Sequence, residues 1–316
     1  MKFVELGRTG ARVSVAGLGC GGPSRLGQRH GASAAQAATV VRGALDLGVT
    51  FIDTAEAYGT EEAVGLGIRG RRDEVFISTK GSPVERGEDW REGALLSAAQ
   101  LRAKVEASLS RLGTDRIDLY NLHGVAEAHY DHGVEVLLPE LKRLQAEGKI
   151  RFLGLTEAFG RETEHETLER AVIDAHFDVV MVGFNLLNPS ARKTVFPHTQ
   201  ANRIGTLIMF AVRRALSRPE ALRAVLEDLE AQGAVPLGTA REGLSFVTED
   251  PDVRSLVEAS YRFVRHEPGA DVILTGTGSL DHLRENVAAI LAPPLPDRLL
   301  DRLDVLFGGL ASVSGN

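Results

Sequence analysis

Eight short apolar runs recur along the chain, and a longer stretch with a helical pattern or a loop follows each of them. The runs are rich in Val, Ile, Phe and Leu and nearly continuous, as expected of parallel strands covered on both faces. Eight such units make an α/β (β/α)₈ (TIM) barrel, although a doubly wound open sheet shows the same alternation. The predicted strands span residues 13–19, 49–54, 75–80, 116–123, 150–156, 177–184, 205–211 and 271–276.

Additional elements are predicted at both ends of this pattern. Residues 2–14 have the pattern of an N-terminal β-hairpin with Gly10 in its turn, and residues 296–310 predict an extra amphipathic C-terminal helix. Other amphipathic helices are predicted over 96–113, 134–149, 219–233 and 280–291. Because no linker, low-complexity tract or long repeat interrupts the chain, we expect one domain over residues 1–316.

Charge and composition exclude several classes of protein. The 36 basic and 43 acidic residues give a net charge of −7, which argues against nucleic acid or an anionic membrane as the main partner. No apolar run approaches the roughly 18 residues of a membrane helix, and Arg8 and Arg12 stand where a signal peptide would need its apolar stretch. Cys20 is the only cysteine, which excludes an internal disulfide. We expect a cytoplasmic enzyme that is a monomer or a weak homo-oligomer.

Three successive predicted strands end in an ionisable side chain: Asp53, Lys80 and His123. In a barrel the carboxyl ends of the strands converge on one mouth, where active sites are built. Charges buried there need partners, so Asp53 and Lys80 are predicted to form an ion pair. Tyr58 follows Asp53 by five residues and should lie near both Lys80 and His123.

This set of side chains suits general acid catalysis. A phenol has a pKa of about 10, and a neighbouring ammonium lowers it by about 1–3 units. With Lys80 held by Asp53, Tyr58 would protonate an oxyanion while His123 orients the oxygen. Taken singly, Asp53, Lys80 or His123 would more often be a structural group. A hydrolase using Asp53 and Glu56 is an alternative.

A possible phosphate site follows the last predicted strand. The segment GTGS (276–279) opens a predicted helix, and backbone N–H groups at a helix N-terminus bind phosphate. A Gly/Ser turn with an ordinary helix cap would account for the same four residues. Two other motifs are set aside: GLGIRG (65–70) ends a predicted helix instead of opening one, and HYDH (129–132) is expected on a solvated polar loop.

The segments FIDTAEAYG, FISTKG, IDLYNLHG and GTGSLDHLRENVAAI, in this order, resemble the aldo-keto reductases. The similarity runs from the LGRTG hairpin to the C-terminal helix. It implies a barrel, an NADP cofactor with NAD possible, a small carbonyl or alcohol substrate, and a catalytic tetrad of Asp53, Tyr58, Lys80 and His123. Tyr58 would be the acid in carbonyl reduction and the base in alcohol oxidation. The alternative is a cofactor-binding regulatory or scaffold barrel with little turnover.

The resemblance also implies where the cofactor binds. Glu285 and Asn286 match positions that hold the adenine, and Phe210 matches the aromatic that stacks on the nicotinamide. The predicted cofactor-binding residues are Gly21, Thr156, Glu157, Met181, Phe210, Ala211, Arg213, Gly276, Thr277, Gly278, Ser279, His282, Glu285 and Asn286. No metal site is predicted.

Several of these positions depart from the family pattern. Thr156 and Glu157 replace the usual Ser-Asn pair that grips the carboxamide, and Met181 replaces a Gln. Gly276 and His282 stand where NADP-preferring members carry Lys or Arg, so the 2′-phosphate should be held less firmly. Two further positions have open interpretations. Arg213 and Arg214 contact the pyrophosphate or lie on the surface, and Trp90 lines the substrate pocket or shields a helix start.

Overall fold

The computed structural model describes residues 1–85 and 93–316. The chain begins with an antiparallel hairpin of β1 (Phe3–Glu5) and β2 (Arg12–Ser14), in which Gly10 adopts a left-handed φ of 65°. The hairpin prediction is confirmed. The prediction of one strand over 13–19 is wrong, because the chain leaves the hairpin at Val15. Thr50 N–H donates to Ser14 Oγ at 2.8 Å there, and a separate barrel strand follows.

Eight parallel strands then close into a barrel, and each pairs with its neighbours in chain order. They are β3 (Ala16–Gly19), β4 (Phe51–Asp53), β5 (Phe76–Gly81), β6 (Ile117–Val125), β7 (Ile150–Glu157), β8 (Val179–Gly183), β9 (Gly205–Met209) and β10 (Val272–Thr275). The last strand pairs with the first, which excludes the open sheet. The prediction of a (β/α)₈ barrel with an N-terminal hairpin is confirmed.

Helices surround the barrel. They are α1 (Ala34–Asp46), α2 (Glu61–Gly67), α3 (Ala98–Leu112), α4 (Glu127–His132), α5 (Leu138–Ala146), α6 (Glu166–Asp174), α7 (Ala191–Thr194), α8 (Phe196–Asn202), α9 (Arg214–Ser217), α10 (Pro219–Ala231), α11 (Thr239–Glu242), α12 (Ser245–Thr248), α13 (Leu256–Arg265), α14 (Leu280–Leu291) and α15 (Asp297–Phe307). Short 3₁₀ segments span Gly7–Thr9, Arg25–His30, Glu56–Tyr58 and Arg72–Glu74, and a π turn spans Gly133–Leu137. Within the described ranges, none of the helices has the length and apolar character to cross a membrane.

Local sequence signals explain where several helices start. Ser33 and Ser97 cap α1 and α3 through capping boxes with Gln36 and Gln100. The helix predicted over 134–149 instead continues upstream through the π turn to α4, because His129 and Tyr130 turn inward and are buried. The expectation of a solvated loop at 129–132 is therefore wrong.

The amino end of the barrel is filled by apolar side chains. Leu6 from the hairpin packs with Phe51, Phe76 and Leu119, and the rings of Phe51 and Phe76 stack with centroids 5.3 Å apart. This plug leaves the carboxyl end of the strands as the open mouth of the barrel. The ionisable strand-end residues predicted from the sequence lie at that mouth.

Candidate active site

A buried ion pair lies at the ends of β4 and β5. Lys80 Nζ donates to Asp53 Oδ1 at 2.5 Å and to the Thr54 carbonyl oxygen at 2.9 Å, and Ser78 Oγ donates to the same carboxylate at 2.8 Å. The Lys80 side chain is fully buried and that of Asp53 is 4% exposed. Burial raises the pKa of the Asp53 carboxyl, and attraction to Lys80 offsets only part of that rise.

Tyr58 ends the 3₁₀ turn after β4, and its phenol lies above this pair. Its Oη is 3.5 Å from His123 Nε2 on β6, with the two rings edge to face at 87°. Lys80 Nζ is 5.3 Å from the centroid of the Tyr58 ring. Gly21 lies against the same ring, where an added Cβ would be 2.6 Å from it. The structure therefore brings Asp53, Tyr58, Lys80 and His123 together at one mouth.

The electrostatics of Tyr58 differ from the sequence expectation. Burial raises the pKa of the Tyr58 phenol above its ordinary value, the charge of Asp53 raises it further, and Arg213 and Arg25 lower it only in part. The prediction that the pKa of Tyr58 lies below its ordinary value is wrong, because burial outweighs the nearby cations and the charge of Asp53 opposes them. Tyr58 is therefore a protonated phenol at neutral pH, as a proton donor must be.

A cavity of about 1090 Å³ opens beside Asp53 and Tyr58. Of the predicted cofactor-binding residues, those that line it are Gly21, Met181, Phe210, Ala211, Arg213, Gly276, Thr277, His282, Glu285 and Asn286. The carboxyl end of β10 and the N-terminus of the 12-residue helix α14 form one wall. The cavity is large enough to hold a dinucleotide.

The cavity also holds cations that the sequence did not assign to the cofactor. Arg218, Arg254 and Arg284 line it together with Arg213 and Arg214. Arg254 lies directly before Ser255, the N-cap of α13, and a serine before an amphipathic stretch is a sequence signal for a helix start. Arg254 is paired with Glu258 and Arg284 with Asp281, so Arg213, Arg214 and Arg218 are the guanidinium groups that favour an anionic ligand.

Two predicted cofactor contacts lie away from the cavity. The Thr156 hydroxyl accepts a hydrogen bond from Gly124 N–H at 2.7 Å. The Glu157 carboxylate accepts from Gly183 N–H at 2.6 Å and from His165 Nδ1 at 2.9 Å. Both side chains are buried and absent from the cavity wall. In this arrangement neither side chain is available to grip a carboxamide.

Gly278 and Ser279 also lie outside the cavity wall. Ser279 Oγ caps α14 by accepting from His282 N–H at 3.4 Å. An added Cβ on Gly278 would lie 2.6 Å from the backbone nitrogen of Gly27, so the loop after β3 packs directly on this turn. Of the two interpretations of GTGS, the helix cap is present; Thr277 lines the cavity, and its hydroxyl accepts a hydrogen bond from Ser279 N–H at 3.0 Å.

Phe210 follows β9 directly and has a left-handed φ of 65°, which ends the strand two residues before the predicted boundary. Arg213 Cζ lies 4.1 Å from the centroid of its ring, and Arg213 Nε donates to Asn316 Oδ1 at 2.7 Å. Arg213 is therefore part of the mouth and only partly exposed, whereas Arg214 is exposed. Trp90 lies outside the described residues.

The geometry weakens two alternative types of site. Glu56 accepts two hydrogen bonds from Lys104, at 2.9 and 3.0 Å, and Asp53 is paired with Lys80, so neither carboxylate of the hydrolase alternative is free. Burial and the charge of Asp53 raise the pKa of the Cys20 thiol, which disfavours a thiolate nucleophile. Within residues 1–85 and 93–316, no group of three potential metal ligands was found.

Comparisons with known proteins agree with this architecture. Residues 18–306 match the model of the aldo/keto reductase family. The aldo-keto reductase YhdN of Bacillus subtilis is 30% identical over 309 residues, covering 90% of this chain and 88% of YhdN. YqkF, an uncharacterized oxidoreductase of the same organism, is 27% identical over 96% of this chain and 95% of its own length. The holo form of the aldo-keto reductase AKR11C1 from Bacillus halodurans superposes with a TM-score of 0.75, 23% identity and full coverage of both chains, which supports the fold alone.

Proposed function

Because this chain belongs to the aldo/keto reductase family, we propose that it is an NADP(H)-dependent oxidoreductase that also accepts NAD(H). Its substrate would be an aldehyde or ketone that is reduced to an alcohol, or an alcohol oxidised in the reverse direction. The observation that carries the proposal is the meeting of Tyr58, His123 and the Lys80–Asp53 pair beside one large, cation-lined cavity.

The donors present fit a dinucleotide. Guanidinium groups and the N-terminus of α14 suit its phosphates, and Glu285 and Asn286 on α14 line the same cavity. Gly21 lies against the Tyr58 ring, and Phe210 and Met181 line the same cavity; these three residues would accommodate the nicotinamide. When bound, the nicotinamide supplies a hydride to the carbonyl carbon or accepts one from the alcohol carbon.

Side chains of the protein would transfer the proton and orient the reacting oxygen. Tyr58 Oη donates its proton to the carbonyl oxygen as negative charge develops there, and in alcohol oxidation it takes the proton back. His123 Nε2, 3.5 Å from that phenol, orients the same oxygen by hydrogen bonding. Lys80 and Asp53 hold a fixed dipole beneath the phenol, and the bond from Lys80 to the Thr54 carbonyl keeps the ammonium in place.

The experiment that tests the proposal is a panel of aldehydes, ketones and alcohols assayed with NADPH, NADH and their oxidised forms. We expect a change in the nicotinamide absorbance band with at least one substrate, and tighter binding of NADPH than of NADH. Tight coenzyme binding with no turnover across the panel would favour the scaffold alternative. Absence of binding by either coenzyme would refute the proposal.

A further inference from the structure

A buried acid–histidine pair lies behind the mouth, and the proposed proton transfer does not use it. Glu157 is the last residue of β7, and its carboxylate accepts from His165 Nδ1 at 2.9 Å while both side chains are fully buried. The same carboxylate accepts from Gly183 N–H at the end of β8 at 2.6 Å. One acid therefore joins the ends of two strands to the loop that carries His165.

The His165 ring, which is held by Glu157, packs against the ring of Phe159. The two rings stack with centroids 5.3 Å apart and an interplanar angle of 15°. On one side Phe159 covers Gly183 so closely that an added Cβ there would lie 2.0 Å from the ring. Phe159 is therefore held by a stacked ring and by a strand backbone, and it has little room to shift.

Phe159 in turn contacts Phe210, an aromatic residue of the cavity wall. The rings meet edge to face at 81° with centroids 5.3 Å apart. Phe210 has a φ of 65°, a conformation that bulky residues adopt only when their surroundings enforce it. Glu157, His165 and Phe159 stand outside the cavity wall, whereas Phe210 lines it.

We propose that Glu157, His165 and Phe159 are positioning residues that fix the ring of Phe210 as the surface on which the nicotinamide end of the coenzyme rests. This inference rests on the proposed function. The adenosine end would contact a separate element, α14 and the turn before it. Loosening Phe210 should therefore weaken binding of the whole coenzyme and leave binding of its adenosine–pyrophosphate portion unchanged.

The test compares two ligands by isothermal titration calorimetry: NADPH, and 2′-phospho-ADP-ribose, which lacks the nicotinamide. Phe159→Leu removes the edge contact with Phe210. His165→Asn removes the stacked ring while retaining an amide that can donate to Glu157, and asparagine tolerates the left-handed φ of 67° at this position. For both variants we expect NADPH binding to weaken about fivefold to tenfold, and binding of the fragment to stay within about twofold.

The matched control is Phe196→Leu. Phe196 is buried like Phe159 and makes a comparable tilted contact, at 5.2 Å and 63°, with Phe184, but it is absent from the cavity wall. The Phe196→Leu substitution should change the binding of neither ligand. The inference would be overturned if folded His165→Asn bound both ligands more weakly by the same factor, or if it bound NADPH as the wild type does. The result for His165→Asn is decisive if Phe159→Leu does not fold. Failure of the wild type to bind NADPH or NADH would instead refute the proposed function.

Discussion

At the scale of single residues, the Lys80–Asp53 pair links stability to chemistry. Lys80→Met leaves the Asp53 carboxylate buried without a counter-charge, so we expect the free energy of unfolding to fall by about 3–5 kcal/mol and activity to be lost. Urea denaturation measures the first effect. The double variant Lys80→Met/Asp53→Asn should recover most of the stability and remain inactive. Wild-type stability of Lys80→Met alone would show that the pair contributes little.

His282 is the residue that should determine coenzyme preference. Its side chain is exposed at the cavity on α14, while the neighbouring Arg284 is paired with Asp281 at 2.6 Å. His282→Arg adds a permanent donor for a 2′-phosphate, so we expect NADPH binding to tighten by about 1–2 kcal/mol. NADH, which lacks that phosphate, is the internal control. A ratio of the two dissociation constants that does not move would mean that His282 faces away from the phosphate.

The sequence predicted which residues meet at the mouth of the barrel, but it did not predict the electrostatic surroundings of those residues. Asp53, Lys80 and His123 could be placed together because barrel strands all deliver their carboxyl ends to one mouth. The direction of the Tyr58 pKa shift could not be predicted, since it depends on how deeply the phenol is buried and on its distance from the charge of Asp53. Glu157 was expected at the cofactor for a similar reason: a strand end fixes a position, but the direction of the side chain depends on partners such as His165.

At the scale of elements, the C-cap of α6 is Ala175, which has a left-handed conformation with a φ of 53°. Glycine adopts this conformation without a Cβ penalty, so Ala175→Gly should raise the free energy of unfolding by about 0.5–1 kcal/mol. The reciprocal change is Gly113→Ala at the C-cap of α3, where φ is 63° and open space surrounds the glycine. It should lower stability by a similar amount. Thermal unfolding of the two variants checks both signs, and equal shifts in one direction would contradict this account.

The junction of β9 and β10 should make stability depend on pH. Asp271 accepts from Thr206 N–H at 3.0 Å, and burial raises its pKa from 3.8 to about 6. The folded state therefore holds the Asp271 proton more tightly, so this residue stabilises the fold at low pH. That contribution is lost as the pH rises through about 6. Relative to Asp271→Asn, the wild type should lose about 1–3 kcal/mol between pH 4 and 7. Parallel stability curves for the two proteins would contradict this expectation.

Element boundaries could be predicted where residue periodicity determines them. The predictions failed where tertiary contacts determine the boundary. Residues 280–291 form α14 with the predicted bounds, and Ser279 caps it. The division of 13–19 into a hairpin strand and a barrel strand depends on the pairing of Ser14 with Thr50. The end of β9 depends on the left-handed Phe210, which apolar periodicity alone does not reveal.

At the scale of the whole molecule, the hairpin and the apolar plug close one end of the barrel, and the cavity opens at the other. The count of eight strand–helix units was readable from the sequence because each parallel strand is buried on both faces. Barrel closure was not readable from the alternation, since an open sheet gives the same pattern. The prediction that residues 1–316 form one domain stays a prediction.

The central claim is that Tyr58 is the proton donor, and Tyr58→Phe tests it most directly. The measurement is single-turnover carbonyl reduction with NADPH and its deuterated form, alongside NADPH affinity. Tyr120→Phe is the control, because the Tyr120 hydroxyl has no hydrogen-bond partner within the described part of the chain. We predict that Tyr58→Phe slows hydride transfer by about 10²–10⁴-fold with little change in NADPH affinity, and that Tyr120→Phe reacts like the wild type. A Tyr58→Phe rate close to that of the wild type, with a deuterium isotope effect showing that hydride transfer limits it, would contradict the claim.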